Sequence, residues 1–281
     1  MRSHGLLFLF VLLVTGCATR QAPADKTQSP AQAQSQAPSW KLVWSDEFDV
    51  PGAPNPQNWG YDLGNSGWGN QELEMYTNRP ENARVHDGNL IIEARKEDVS
   101  TSHYTSARLV SQNKAVFTYG RFEIRAQLPE GRGTWPAIWM YPNAMSYGSL
   151  GWPDNGEIDI MEEVGYAPGI ISGSIHCHDY NWPAHTQKTA TITVPDASKS
   201  FHVYALEWTP DSISIFVDSQ KYLTYNREEG SDWRSWPFDK GFFLILNVAI
   251  GGNFGGAQGV DDSIFPQQMK VDYVRVYQGA P

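Results

Sequence analysis

The sequence predicts an all-β fold, a sandwich of two large antiparallel sheets. Three observations predict it. Short runs rich in Val, Ile, Phe, Tyr and Thr recur between Gly, Pro and Asn punctuation. Several of these runs alternate with a period of two, the signal of a strand with one face in a core. No segment shows a long helical period with caps.

The elements follow in chain order. "DGN" (Asp87–Asn89) reads as a hairpin turn that feeds the strand "NLIIEARK" (Asn89–Lys96). "GRFEIRAQL" (Gly120–Leu128) is the next strand run. In "GTWPAIWM" (Gly133–Met140), Trp135 and Trp139 are four apart and share one strand face. "FHVYALEW" (Phe201–Trp208) ends in a pair of which one residue must face the interior; Glu207 reads as a buried, paired structural acid. "SISIFVD", "SQ" and "KYLTY" (Ser212–Tyr225) read as a hairpin. "FFLILNVAI" (Phe242–Ile250) and "VDYVRVY" (Val271–Tyr277) complete the set.

Composition fits one large domain. The chain has 281 residues, 41% of them hydrophobic and only 19% charged, which is ample material for a core. The net charge of −10 argues against nucleic acid, whose phosphates need clustered Lys and Arg. It also disfavours a polyanionic substrate and suits a neutral polymer. The 11 Trp can fill a core or stack on sugar rings, so their positions matter more than their number.

The N-terminus reads as an export signal, residues 1–16. Arg2 is followed by the apolar "GLLFLFVLLV" (Gly5–Val14), too short to span a bilayer comfortably. The run ends in "VTGC", which resembles a bacterial lipobox with Cys17 as the lipidated thiol. A plain secretory signal is the alternative. With Cys17 lipidated, Cys177 is the one thiol left and no internal disulfide can form. Ala18 points to the outer membrane or cell surface. Residues 17–38 carry no aromatic and no large aliphatic residue after Cys17, so they read as a disordered tether. The folded domain is expected over residues 39–281.

"GEIDIMEEVG" (Gly156–Gly165) places four carboxylates within seven residues, among isoleucines that need burial. On a strand, Glu157 and Asp159 share a face while Ile158 and Ile160 take the other. Strict alternation would turn Glu162 into the core, which is costly for an unpartnered carboxylate. A bulge at Ile160–Met161 returns Glu162 to the face of the first two acids and turns Glu163 away. Glu157 and Glu162 then sit roughly 13 Å apart along the strand at about 3.3 Å per residue. Side chains leaning inward can bring the carboxyls to about 5 Å, the spacing of a retaining glycosidase pair. An acidic exposed face or a calcium site remains the alternative on spacing alone.

With these residues the sequence resembles glycoside hydrolase family 16, and within it the bacterial laminarinase-like endo-β-1,3-glucanases. "GEIDIMEEVG" matches the family's E-x-D-x-x-E signature, with Met161 as the extra residue. "GWGNQELEMYT" (Gly67–Thr77), "YTSARL" (Tyr104–Leu109), "GTWPAIWM", "EWTPD" (Glu207–Asp211), "NVAIGGNFGG" (Asn247–Gly256) and "VDYVRVYQ" (Val271–Gln278) extend the match over nearly the whole domain. The resemblance implies a curved jelly roll with an open cleft on its concave face. It implies Glu157 as nucleophile, Asp159 as its assistant and Glu162 as general acid/base. Trp135 and Trp139 would take sugar faces, Asn70 and Arg108 would bind hydroxyls, and His176 would line the cleft. Family members often bind one structural Ca2+, for which Glu47, Gly88 and Asp272 are the matching positions. The implied partner is a β-glucan, cut by a monomer.

Other readings stay open on the same residues. Mixed-linkage glucan or a galactan would use the same machinery, and non-catalytic glucan-binding relatives typically lack the acids. "HCHDYNW" (His176–Trp182) has no convincing third ligand for zinc. Phe254 stands where many relatives carry Trp. Glu163, next to the acid/base, is expected to raise the pKa of Glu162 if it stays within reach. No serine-hydrolase elbow, P-loop, zincin or dinucleotide motif is present.

Overall fold

A computed structural model describes residues 40–279. The export segment, Cys17 and the tether lie outside the described residues, and no helix within them is long and apolar enough to cross a membrane.

The strands, in chain order, are β1 (Trp40–Asp46), β2 (Gly60–Tyr61), β3 (Glu74–Tyr76), β4 (Ala83–His86), β5 (Asn89–Val99), β6 (Ser102–Ser106), β7 (Arg108–Val110), β8 (Val116–Phe117) and β9 (Gly120–Gln127). They continue as β10 (Thr134–Pro142), β11 (Glu157–Glu163), β12 (Ile170–His176), β13 (Lys188–Thr193), β14 (His202–Trp208), β15 (Ser212–Val217), β16 (Gln220–Asn226), β17 (Phe242–Ile250) and β18 (Gln267–Gly279). A 3-10 turn, Asp262–Ile264, precedes the last strand.

Ten strands form the larger sheet, in the order β16-β15-β14-β9-β18-β5-β6-β3, with β1 on β18 and β4 on β5. Eight form the smaller, β13-β12-β11-β10-β17-β7-β2, with β8 on β17. The β3–β6 pair is parallel, whereas the central ladders β9–β18 and β10–β17 are antiparallel. The expected two-sheet sandwich is therefore present.

Alternation explains how the layers meet. Along β9, Phe122, Ile124 and Ala126 are buried while Arg121, Glu123 and Arg125 point outward. Ile138 and Met140 on β10, Ile158 on β11 and Leu244 and Leu246 on β17 come up from the smaller sheet, all fully buried. Each such side chain contributes about 1.5–3 kcal/mol on leaving water. Strand β17 is buried along its whole length, because its second face is the floor of the cleft described below.

Two turns refine the sequence reading. Asp87 and Gly88 both hold positive φ (50° and 72°), the two-residue hairpin geometry that "DGN" suggests. In the β15–β16 hairpin, Val217 faces Gln220, so the turn is Asp218–Ser219, one residue earlier than "SQ". Asp218 takes φ 53°, a conformation Asp tolerates, and its Oδ1 accepts the Val203 N–H at 2.9 Å. At the end of β14 it is Trp208 that turns inward. Glu207 is half-buried on the outer face, where the Arg121 guanidinium donates to it at 2.6 Å, so it is paired but not a core acid.

Candidate active site

The acids sit on β11, and a register slip sorts them. Asp159 lies opposite Trp139 on β10 and Ser174 on β12. Glu162 lies opposite Ala137 and Ser172. Between them Ile160 has no partner on β10, and Ile160 and Met161 together oppose Gly173 on β12. The bulge thus falls at the expected pair, although against β10 the unpaired residue is Ile160 and not Met161. Ile160 and Met161 are both fully buried, and Glu162 rejoins the face of Glu157 and Asp159.

The other sheet secures this bulge. The Tyr222 hydroxyl, reaching across from β16, donates to the Ile160 carbonyl at 2.8 Å. Gly173 makes the room: a Cβ there would lie 2.7 Å from the Tyr222 hydroxyl oxygen. A bulge frees a backbone acceptor, and here the half-buried Tyr222 phenol satisfies it.

His176 lies opposite Glu157 on β12, with Nε2 3.2 Å from Asp159 Oδ2. One atom each from Glu157, Asp159 and His176 fall within 4.8 Å of one another. The Trp135 indole N–H donates to Glu162 Oε1 at 3.0 Å, and the Trp139 N–H donates to Asn247 Oδ1 at 2.8 Å. The Arg108 guanidinium lies between Trp68 and Trp139, 4.7 and 4.8 Å from their ring centres, and Nε is 3.0 Å from an Asp62 carboxylate oxygen. Asn70, in the loop before β3, donates to Glu72 Oε1 at 3.3 Å.

The three acids, His176, Trp68, Trp135, Trp139, Arg108, Asn70 and Asn247 line one open cleft across the outer face of the smaller sheet. Its main part, about 590 Å3, runs over Arg108, Trp139 and Asn247. An adjoining part of about 350 Å3 runs over His176, Ser174 and Thr191. The three acids belong to both, so they stand where the two halves meet.

The profile of glycosyl hydrolases family 16 matches residues 70–275. The chain belongs to this family. It is 58% identical over 248 residues to a β-glucanase of Rhodothermus marinus, covering 86% of this chain and 87% of that protein. The crystal structure of the laminarinase from Rhodothermus marinus superposes with a TM-score of 0.86 at 56% identity, covering 88% of this chain and all of the other. That of SCLam, a non-specific endo-β-1,3(4)-glucanase, superposes at 0.82 with 47% identity, over 87% of this chain and 94% of the other.

The acids of this family 16 hydrolase are electrostatically coupled. Burial, then the neighbouring Asp159, pushes Glu157 up to about 8, and His176 pulls the other way. Burial alone takes Asp159 to about 8. Burial, then Asp159, takes Glu162 to about 8 against the pull of His176 and of the Trp135 N–H. Three carboxyls so close cannot all ionise, so the cluster holds protons at neutral pH. Glu163 has no part in this. It is buried on the opposite face, where its Oε1 accepts the Gly169 N–H at 2.5 Å, so the expected influence on Glu162 is not borne out.

The remaining predicted positions lie elsewhere. His178 is past the end of β12, exposed, with Nδ1 3.0 Å from its neighbour Asp179, and takes no part in the acid cluster. Glu47, Gly88 and Asp272 fall near one another along β18 of the larger sheet, where β1 and β5 succeed each other as its partner. Leu90 faces Val271 and Asp46 faces Val274, so Asp272 falls in the gap between β5 and β1. The Asp272 carboxylate accepts from Arg125 at 2.5 Å, and the Glu47 carboxylate from Arg275 at 2.8 and 3.0 Å.

Sequence reasoning missed several cleft residues. Tyr141 follows Trp139 by two and shares its face, which the period alone could have shown. Asn247 is the lone polar residue in a nine-residue apolar strand, itself a signal. Trp152 and Trp182 enter from loops and carried no periodic signal.

Proposed function

We propose that this family 16 hydrolase is an endo-acting, retaining β-1,3-glucanase that cuts internal bonds of laminarin-type glucans, with Glu157 as nucleophile and Glu162 as general acid/base. The observation that carries the reading is the bulge that puts Glu162 on the face of Glu157, midway along a cleft open on both sides of the acids. An open cleft lets a polymer lie across the site, which favours internal cleavage.

Glu162 starts protonated. The Trp135 N–H occupies Oε1, which leaves Oε2 to carry the proton to the glycosidic oxygen. As that bond breaks, ionised Glu157 attacks the anomeric carbon and forms a glycosyl-enzyme ester. Asp159, kept neutral by burial, lowers the cost of a charge on Glu157. His176 orients Asp159 from the side. Glu162, now a carboxylate, takes a proton from water, which attacks the ester and restores both acids. Glu157→Gln and Glu162→Gln should each lose nearly all release of reducing ends from laminarin while keeping the fold. Substantial turnover by either would overturn the assignment.

Mixed-linkage glucan is a second substrate with specific support, because SCLam, a β-1,3(4)-glucanase by name, is similar over nearly its whole length. Comparing products from laminarin, lichenan and agarose separates the possibilities.

Export on a lipid at Cys17 and a β-glucan partner met outside the cell complete the proposal. Cys17→Ala should release the protein from the membrane fraction. A structural Ca2+ would be held by backbone oxygens of Glu47 and Gly88 and by Asp272, whose positions the topology brings to the gap between β1 and β5 along β18; oxygen ligands suit such a hard cation. It would brace the β1–β18 and β5–β18 ladders and take no part in the chemistry. A chelator should then lower the melting temperature without abolishing activity at ambient temperature, and an unchanged melting curve would argue against the ion.

A further inference from the structure

A hydrogen-bond chain beneath the cleft runs in one direction. The Trp139 N–H donates to Asn247 Oδ1 at 2.8 Å, and Asn247 Nδ2 donates to the Tyr76 oxygen at 3.1 Å. The Tyr76 hydroxyl donates to Glu72 Oε2 at 2.9 Å, while Asn70 Nδ2 donates to Oε1 at 3.3 Å. Every donor in the chain points toward Glu72. A carboxylate can only accept, so it fixes the sense of each bond that leads to it.

A second acid reinforces this end. Glu74 is fully buried, and its Oε2 accepts the Ile250 N–H at 2.6 Å. No donor faces its Oε1. Burial, then Glu72, pushes this carboxyl far above its ordinary range. The Glu72 carboxylate is thus near enough to Glu74 for the two to repel. Glu72 itself is 8% exposed at the cleft wall, and Tyr76 and Asn247 are buried.

We propose that Glu72 is a positioning residue for substrate binding: through Tyr76 and Asn247 it fixes the Trp139 indole, and directly it fixes the Asn70 amide. Asn70 then has its carbonyl oxygen free for a sugar hydroxyl, and Trp139 is held at a set tilt beside Arg108. Two groups that line the main part of the cleft are thus oriented by one buried carboxylate. Flexible polar groups recognise a ligand well only when their direction is set beforehand. The inference rests on the reading of the cleft as a glucan site.

Glu72→Gln and Tyr76→Phe test it. Both nearly preserve shape, and each breaks the direction of the chain at a different link. Each should raise the KM for laminarin about tenfold, the effect of one buried group left unpaired, with kcat within about twofold and the pH profile unmoved. The double variant should be no worse than Glu72→Gln alone, because the Tyr76 link lies on the chain that Glu72→Gln already cuts. In a 15N-Trp spectrum the Trp139 indole N–H, assigned by its loss in Trp139→Phe, should shift in both variants. This readout uses no substrate, so it separates failure of the chain from failure of the glucan reading, which wild-type inactivity on laminarin would expose. Folded variants with wild-type KM and an unmoved Trp139 resonance, or additive losses in the double variant, would overturn the proposal.

Discussion

Trp135 shows how one cleft residue can serve two ends. Its ring centre lies 5.6 Å from that of Phe254 in an edge-to-face pair within the cleft, and its N–H holds Glu162 Oε1. A donor to a carboxyl favours the ionised form, so the bond lowers the Glu162 pKa against the larger opposing effect of burial. Trp135→Phe keeps an aromatic ring and removes the donor. Glu162 should then hold its proton to higher pH. We expect the alkaline limb of kcat/KM to move upward and kcat to fall about tenfold, since the acid loses its fixed orientation. A profile that keeps its alkaline limb would contradict this role. Glu163→Gln, by contrast, should leave that limb in place, because Glu163 faces away from the cleft.

At the scale of elements, the bulge on β11 and the strand behind it act together. Tyr222 on β16 is the sole side chain from the far sheet bonded to a backbone oxygen of the bulge among the described residues. Tyr222→Phe leaves the buried Ile160 carbonyl without its donor, at a cost of about 1–3 kcal/mol. At about 2–4 °C per kcal/mol for a domain of this size, the melting temperature should drop by several degrees, and kcat should fall with it as Glu162 loosens. A variant that melts and turns over as wild type would show that the bulge stands unaided. This element also marks what was legible in the sequence. Ile158 and Ile160 had to be buried, so the phase break at Ile160–Met161 could be inferred from residue types alone. The Trp135–Glu162 bond could not, because it depends on Ala137 lying opposite Glu162, a register that local sequence does not encode. The same holds for Tyr222, which is 62 residues from its acceptor. The strand runs themselves were legible because each carries its own alternation, whereas the Asp218–Ser219 turn was misplaced by one residue because the local pattern fits either phase.

The whole molecule feels the acid cluster as a pH-dependent load. Unfolded carboxyls titrate near 4, whereas burial and mutual repulsion let the cleft cluster hold protons up to about 8. Between these values the folded state binds more protons than the unfolded chain, so stability declines as pH rises through the window. The contribution is fully present below about pH 4 and lost by about pH 8. Glu162→Gln removes one titrating group, so its melting temperature relative to wild type should improve from about pH 5 to about pH 8.5. A constant difference across that range would mean that the acids are not held protonated by the fold. The same cluster, set midway along the cleft, is the centre of the proposed chemistry, and its nucleophile can be identified directly. Wild-type enzyme treated with a 2-deoxy-2-fluoro laminaribiosyl fluoride should gain the mass of one glycosyl group, because the fluorine slows turnover of the ester. Peptide mass spectrometry should then find that group on Glu157; a label on Asp159 or Glu162, or hydrolysis of laminarin with no trapped ester, would contradict the account.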